Sequence, residues 1–243
     1  MSSVYMCKLK LSILFVIALI YSGKAQQYEI AFMGGGVKYI GDIGKEDYFY
    51  PSDIGGALVF KNSINPWMYG RIGFSYLPIQ GYDSESQNIG RRLRNISFSG
   101  KVMELNLGIE YNFLPRNPFL KGRKYNRFTP YMSSGIVLSN YFGQMSKNGS
   151  AGTDFGGVSM GIPMIIGFKY KLAEHLLFAV ESGARYTFTD NLDGSFTYYH
   201  RLLNKDNIGK HSLSTNMNSN DWYTFTSIGL IYTFGDLRCY FGF

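Results

Sequence analysis

Long stretches of the chain alternate between apolar and polar residues, and this period of two constrains the fold more than any other feature. From Lys101 to Phe113 the odd positions after the first are apolar, whereas the even positions are mostly polar or glycine. Segments 158–172 and 176–188 repeat the pattern, with mostly apolar residues at even positions. Because side chains two positions apart lie on one face of a β-strand, these stretches are predicted to be strands with one apolar face.

Eight segments are predicted to be strands, and the connections between them alternate in length. The predicted strands are 28–37, 53–61, 69–77, 98–113, 128–142, 158–172, 175–188 and 222–235. The connections 38–52, 78–97, 143–157 and 189–221 are long, those at 62–68 and 173–174 are short, and 114–127 is intermediate. Long loops on one side and short turns on the other are typical of outer-membrane barrels, where an even strand number leaves both termini in the periplasm.

The composition of the two faces separates a membrane barrel from a soluble sandwich. The apolar faces often end in aromatic residues, as in Tyr111-Asn112-Phe113, and the polar faces carry glycine, serine and charges of both signs. Charged residues are 17% of the chain, against roughly 25% in soluble domains. A lipid-facing apolar stripe with aromatic girdles and a polar lumen has this pattern. We therefore predict an all-β, eight-stranded antiparallel transmembrane β-barrel in the bacterial outer membrane, with long external loops and short periplasmic turns.

The first 25 residues have the form of a secretory signal peptide. Lys8 and Lys10 precede an apolar run, Leu11 to Tyr21, and small residues lead to a predicted cleavage after Ala25. A retained anchor is the alternative. We expect residues 1–25 to be the signal peptide and 26–243 to form a single outer-membrane β-barrel domain.

Bulk charge and cysteine content argue against two other classes of protein. The net charge is +7, and three of the lysines lie in the predicted signal peptide, so the mature chain is only mildly basic and no nucleic-acid partner is expected. Cys239 is the one cysteine after the predicted cleavage site, which makes an intrachain disulfide impossible.

No group of residues has the spacing of a catalytic or metal site. Asp190, Asn191, Asp193 and Gly194 do not follow the calcium-loop spacing, and we interpret them as a polar turn that ends the seventh strand. His175, His200 and His211 are scattered and lack metal-ligand spacing. We therefore predict no enzyme, no metal and no cofactor.

Charged residues of both signs fall on the inward-facing positions of the predicted strands. They are Glu29, Arg71, Glu104, Glu110, Lys169, Glu181 and Arg185. An eight-stranded barrel is just wide enough for side chains to fill it, so these charges are expected to pair and the barrel is not expected to conduct.

Two basic clusters lie in predicted connections. Arg91, Arg92 and Arg94 belong to an external loop, where lipopolysaccharide phosphates are plausible partners. The second cluster crowds the intermediate periplasmic turn and includes two aromatic residues. Its members are Arg116, Phe119, Lys121, Arg123, Lys124, Tyr125 and Arg127. A solvated turn is one interpretation, and a docking surface for a periplasmic partner is the other.

Short motifs are spread in order over nearly the whole mature chain, at 35–42, 94–98, 104–113, 163–172, 187–193 and 220–225. Together they resemble the PorG-like outer-membrane barrels of the type IX secretion system of Bacteroidetes. The resemblance implies a barrel without catalysis that serves protein secretion and gliding motility. It also implies contact with a periplasmic ring built from a PorK-like lipoprotein and a PorN-like protein.

Two other functions stay open from the sequence. A general small barrel would act as an adhesin or stabilise the membrane, together with outer-membrane lipids. A lipid-A-modifying enzyme would need a histidine near the membrane rim, and His175 beside Glu174 lies at a predicted periplasmic turn instead.

Overall fold

Eight antiparallel strands, joined in chain order, make up the structure. This computed structural model describes residues 27–41, 43–44, 50–114, 127–147, 149, 152–189, 191–195 and 220–235. The strands are β1 (Tyr28–Ile40), β2 (Asp53–Ser63), β3 (Met68–Tyr82), β4 (Ile96–Asn112), β5 (Phe128–Lys147), β6 (Thr153–Lys171), β7 (Leu176–Thr187) and β8 (Trp222–Phe234). A 3₁₀ turn (Asp83–Glu85) and a short helix, α1 (Ile89–Arg94), lie between β3 and β4.

Pairing of β8 with β1 closes the sheet into a barrel. Following hydrogen-bonded partners once round the barrel from Tyr28 leads back to β1 at Lys38, ten residues further along. With a strand rise of about 3.3 Å and a strand spacing of about 4.8 Å, this stagger tilts the strands by about 40° to the barrel axis. A barrel of eight strands at this tilt has an interior that side chains can fill.

The predicted fold class is confirmed, and one predicted loop is wrong. The segment 143–157, predicted to be a long loop, contains the outer ends of β5 and β6, so that the connection is only 148–152. The glycines of this segment led to the prediction of a loop. Gly143 is instead a strand residue where the backbones of β4 and β5 approach closely, since an added Cβ would lie 2.5 Å from the carbonyl oxygen of Ser99. The inward side chains of Met145 and Phe155 are buried, which stabilises this extension.

The two rims of the barrel differ in shape. The periplasmic ends of all eight strands lie at nearly one level. At the external end the pairing of β3 with β2 stops at Tyr76, although β3 continues to Tyr82. The pairing of β6 with β7 stops at Gly161, although β6 begins at Thr153. The sheet β3–β4–β5–β6 therefore stands roughly 15 Å above the rest of the external rim, and we call it the external wall.

The outward side chains form an apolar band between two aromatic girdles. Phe32, which is 65% exposed, and Ile166, which is 66% exposed, lie in the middle of this band. At the periplasmic rim the ring of Tyr28 stacks on Phe60 and on Phe234, with centroids 5.6 Å apart in both pairs. Near the start of β8 the rings of Tyr186, Phe188 and Trp222 form the second girdle.

Such an exposed band is stable only against lipid. The closed ladder leaves no unpaired sheet edge within it, as hydrocarbon requires. Among the residues described, no helix is long and apolar enough to cross a membrane. The exposed apolar band and the closed ladder indicate that the strands cross the membrane, and the protein is a β-barrel of the bacterial outer membrane.

Candidate functional site

Charged side chains from six strands meet inside the periplasmic half of the barrel and form a network that we call the lower network. Its members are Glu29, Lys61, Arg71, Glu110, Lys169 and Glu181, and all of them are buried. Three cations and three carboxylates give the lower network no net formal charge. Compensation of this kind is what burial of charge requires.

Glu110 lies at the centre of the lower network. Its carboxylate accepts a hydrogen bond from Nζ of Lys61 at 2.6 Å and another from Nζ of Lys169. Nη1 of Arg71 lies 3.5 Å from the same carboxylate. Lys169 also donates to Glu29 at 3.0 Å. One carboxylate thus joins three cations from three different strands.

Arg71 and Glu181 form the second half of the lower network. The guanidinium donates two hydrogen bonds to the carboxylate, at 2.8 and 2.7 Å, across the interior from β3 to β7. Tyr131 donates its hydroxyl proton to Glu181 at 2.6 Å, and its ring lies 5.0 Å from Nζ of Lys61. Two-point pairing of this kind fixes both the orientation and the position of the partners.

A smaller charged group lies higher in the lumen. Arg185 donates to Glu104 at 3.2 Å, and Tyr223 donates to the same carboxylate at 2.7 Å. Ser75 adds a third hydrogen bond to Glu104, at 3.0 Å. This pair is neutral as well, so the lower network and the Arg185–Glu104 pair together carry no net formal charge.

The structure places all seven charges that the sequence assigned to the lumen inside the barrel, but in two groups. Five of them join the lower network, whereas Glu104 and Arg185 form the separate upper pair. Lys61 and the tyrosines at 131 and 223 were not predicted to belong to these groups. The inward position of Lys61 could have been predicted from the sequence, because it lies two positions after Val59 and therefore on the same face of β2.

An apolar cluster fills the external opening of the lumen, and we call it the external plug. Side chains of the upper strand ends supply most of it, and Ile43 and Leu192 enter it from loops. Both loop residues are buried, with 3% and 0% exposure. The edge of the Phe98 ring contacts Tyr39, with centroids 4.8 Å apart.

The turn after β7 folds into this plug instead of projecting outwards. The Tyr39 hydroxyl lies 2.9 Å from Oδ2 of Asp193 and 2.6 Å from Oδ1 of Asp221. Asp221 also accepts a hydrogen bond from the backbone N–H of Leu192 at 2.9 Å. Asp193 therefore attaches the turn after β7 to β1, and the backbone N–H of Leu192 attaches it to Asp221, directly before β8. Asp190 lies outside the described residues.

The external basic cluster is partly used inside the fold. Arg94 pairs with the buried Asp83, with Nε 2.7 Å from the carboxylate. Arg91 donates to the carbonyl of Gly44 at 3.1 Å. Arg92 is exposed. The first two arginines hold the loops together, so the predicted contact with lipopolysaccharide phosphates stays a prediction centred on Arg92.

The predicted docking turn falls largely outside the described residues. The positions outside are Arg116, Phe119, Lys121, Arg123, Lys124 and Tyr125. Arg127 is described, is exposed and begins the return of the chain towards β5. Its backbone carbonyl accepts a hydrogen bond from Lys171 at 2.8 Å, which fixes this end of the turn to β6.

His175 belongs to the tight turn between β6 and β7. Its Nδ1 lies 3.2 Å from the carbonyl oxygen of Thr233, and its ring lies 6.2 Å from that of Tyr232. Within the described ranges no three of His, Cys, Asp and Glu are grouped as metal ligands would be. His200 and His211 lie outside these ranges.

The barrel, its apolar band and its packed lumen define an outer-membrane β-barrel of the small, eight-stranded class. The chain belongs to the family described as Domain of unknown function (DUF6089), whose model matches residues 8–242. Among curated protein sequences, none matches the chain.

Solved structures with a similar fold are themselves outer-membrane barrels. A major outer membrane protein from Thermus thermophilus is 14% identical with a TM-score of 0.52, and the match covers 86% of this chain and 100% of that one. The N-terminal β-barrel domain of Pseudomonas aeruginosa OprF is 11% identical with a TM-score of 0.45, covering 87% and 99%. Neisserial surface protein A is 13% identical with a TM-score of 0.44, covering 87% and 100%. Identities this low establish a likeness of fold alone.

Proposed function

We propose that this barrel is a non-enzymatic subunit of the type IX protein secretion system and links its periplasmic ring to the outer membrane. The observation that carries the proposal is the ordered series of motifs shared with PorG-like barrels, from 35–42 to 220–225. The packed lumen adds support, because a barrel filled with neutral ion pairs is suited to act through its surfaces and not as a conduit.

The connection between β4 and β5 is longer than two other periplasmic connections. The β2–β3 connection is only 64–67 and the β6–β7 connection only 172–175, whereas β4 and β5 are joined by 113–127. A barrel needs only a few residues to reverse direction there, so the extra length and its basic and aromatic residues are free to serve binding. The proposed ring partners are a PorK-like lipoprotein and a PorN-like protein.

The test is co-purification of the ring proteins with a barrel neutralised at Arg123, Lys124 and Arg127. Replacing all three by glutamine should weaken recovery of the ring while the barrel stays folded. A matched control removes the same amount of charge from the external side, at Arg92, Lys101 and Lys147, which are all exposed. Equal recovery of the ring from both triple variants would refute the docking surface.

A general adhesin or membrane-stabilising barrel is the second candidate, and the external wall favours it. The wall carries β-structure well above the apolar band, where neither lipid contact nor the periplasmic ring calls for it. Deleting part of 196–219 distinguishes the two functions, since secretion should survive in the first case and surface binding should fail in the second. The hypothesis of a lipid-A-modifying enzyme would gain support if deletion of the gene changed lipid A and if His175→Ala caused the same change.

A further inference from the structure

Within the described ranges, no strand pairs with the outer end of β6 on the side facing away from β5. β5 pairs with β6 out to Thr153, but pairing of β7 with β6 ends at Gly161, and Phe188 adds one last bond by donating its backbone N–H to the carbonyl of Met160 at 2.9 Å. Beyond Phe188 the chain turns into the external plug, so it leaves the edge of β6.

The hydrogen bond from Phe188 to Met160 shows which backbone groups of β6 face this edge. In an antiparallel strand, the N–H and C=O of alternate residues point to the same side. Because Met160 faces β7, the backbone groups of Val158, Gly156 and Asp154 face the same way. In the described part of the chain these three residues make no backbone hydrogen bond on that side. Three donors and three acceptors in one row therefore have no backbone partner among the described residues.

The equivalent edge on the other side of the external wall, along β3, is contacted by residues before β2. The side chain of Gln80, on the protruding part of β3, donates to the carbonyl of Ser52 at 2.8 Å, and Gly44 packs against Gly81. Soluble proteins usually protect such edges with lysines, prolines or bulges. At the β6 edge the outward residues are an aspartate, a glycine and Val158, whose side chain is 76% exposed.

From this geometry we infer that the β6 edge, Thr153 to Val158, binds an extended polypeptide segment of another protein on the external side by strand addition. A row of alternating donors and acceptors repeating every two residues is matched by another strand and by no lipid or ion. The segment would lie beside β6 and antiparallel to it, in the position that β7 would occupy if its pairing with β6 continued beyond Phe188. This binding is separate from the periplasmic docking proposed above, and either can fail without the other.

A second copy in the same membrane does not fit this edge. Copies in one membrane are related by rotation about the membrane normal, so their β6 strands run in the same direction. An antiparallel continuation of the ladder requires a strand of opposite direction. The protruding part of β3 has that direction in a second copy, but Gly44 of its own chain packs against that strand at Gly81. The partner is therefore a different chain, which presents a strand on the cell surface.

The first measurement is hydrogen exchange on the purified full-length barrel. The amides of Gly156 and Val158 should exchange like unprotected amides, whereas those of Phe155 and Gly157, which pair with β5, should be protected. Equal protection of all four amides would mean that the chain covers its own edge, and the inference would be wrong.

The second measurement is photo-cross-linking in whole cells from a reactive residue placed at position 154. Val158→Pro removes one edge-facing N–H without breaking the ladder to β5, and Val158→Thr is the matched control that keeps it. Loss of the hydrogen bonds near the proline should lower the cross-link yield by about tenfold, and the threonine variant should stay within about twofold of the wild type. Val158→Lys, which protects an edge by charge, replaces the proline variant if that does not fold.

The cross-linked segment then becomes the probe. A synthetic peptide of its sequence should slow the exchange of the Gly156 and Val158 amides in the wild type but not in Val158→Pro. Cross-links only to residues 196–219, only to a second copy, or with equal yield in the proline and threonine variants would each overturn the inference.

Discussion

Glu110→Gln tests whether the lower network is held together by balanced charge. The substitution keeps the size of the side chain and leaves three buried cations facing two carboxylates. Lys61, 2.6 Å from Glu110, loses its nearest anion, since Glu181 lies 3.8 Å away. Removing one partner from a buried ion pair costs about 3–5 kcal/mol, and we expect a decrease of about that size in the free energy of unfolding.

A neutral double variant separates charge balance from lost hydrogen bonds. Lys61→Met with Glu110→Gln leaves Lys169 paired with Glu29 and Arg71 paired with Glu181, with no net charge. Its free energy of unfolding should lie within about 2 kcal/mol of the wild type, because a buried ion pair replaced as a unit is often nearly neutral.

The assay is urea unfolding of the barrel in lipid vesicles, followed by the fluorescence of the two tryptophans, Trp67 and Trp222. Lys101→Met is the control for loss of a lysine charge, since the side chain of Lys101 is exposed on the outward face of β4. If the double variant is as unstable as Glu110→Gln, or if Glu110→Gln matches the control, the reasoning from charge balance is refuted.

Three further predictions concern the plug, the close strand contacts and the lipid-facing wall. Tyr39→Phe removes a hydroxyl shared by two carboxylates, and it should speed hydrogen exchange at the amide of Leu192 while costing about 1.5–3 kcal/mol. Gly135→Ala should prevent folding, measured by heat-modifiable gel migration, because its Cβ would lie 2.1 Å from the carbonyl oxygen of Leu107, whereas Gly70→Ala meets nothing closer than 3.9 Å and should fold. Ile166→Arg should lower the free energy of unfolding in vesicles by about 2–4 kcal/mol, and no change would argue against a lipid-facing position.

The strands were predicted well from the sequence where the outward face of the strand contacts lipid. In β7 and in the membrane-spanning part of β4 the lipid face and the lumen face alternate, so the period of two is visible in the residues themselves. The outer ends of β5 and β6 lie above the membrane, where no lipid selects an apolar face. The glycines of this region therefore favoured the prediction of a loop. Its strand structure becomes visible only in the pairing of β5 with β6.

The residues of the external plug were hidden for a different reason. Ile43 and Leu192 are each flanked by polar residues or glycine, and nothing adjacent marks them as buried. Their burial depends on which strand ends surround the opening, and this follows from the stagger of the whole barrel. Asp193 likewise looked like a turn residue, because its partner Tyr39 is 154 positions away in the chain.

The lower network has a consequence for how the barrel assembles. Its six charged residues come from six different strands, β1, β2, β3, β4, β6 and β7, so no hairpin contains the full set of partners. A partly inserted sheet would expose unpaired charges to the membrane interior, whereas the closed barrel exposes none. Partly inserted states are thereby disfavoured, and we expect closure and insertion to occur together as one cooperative step.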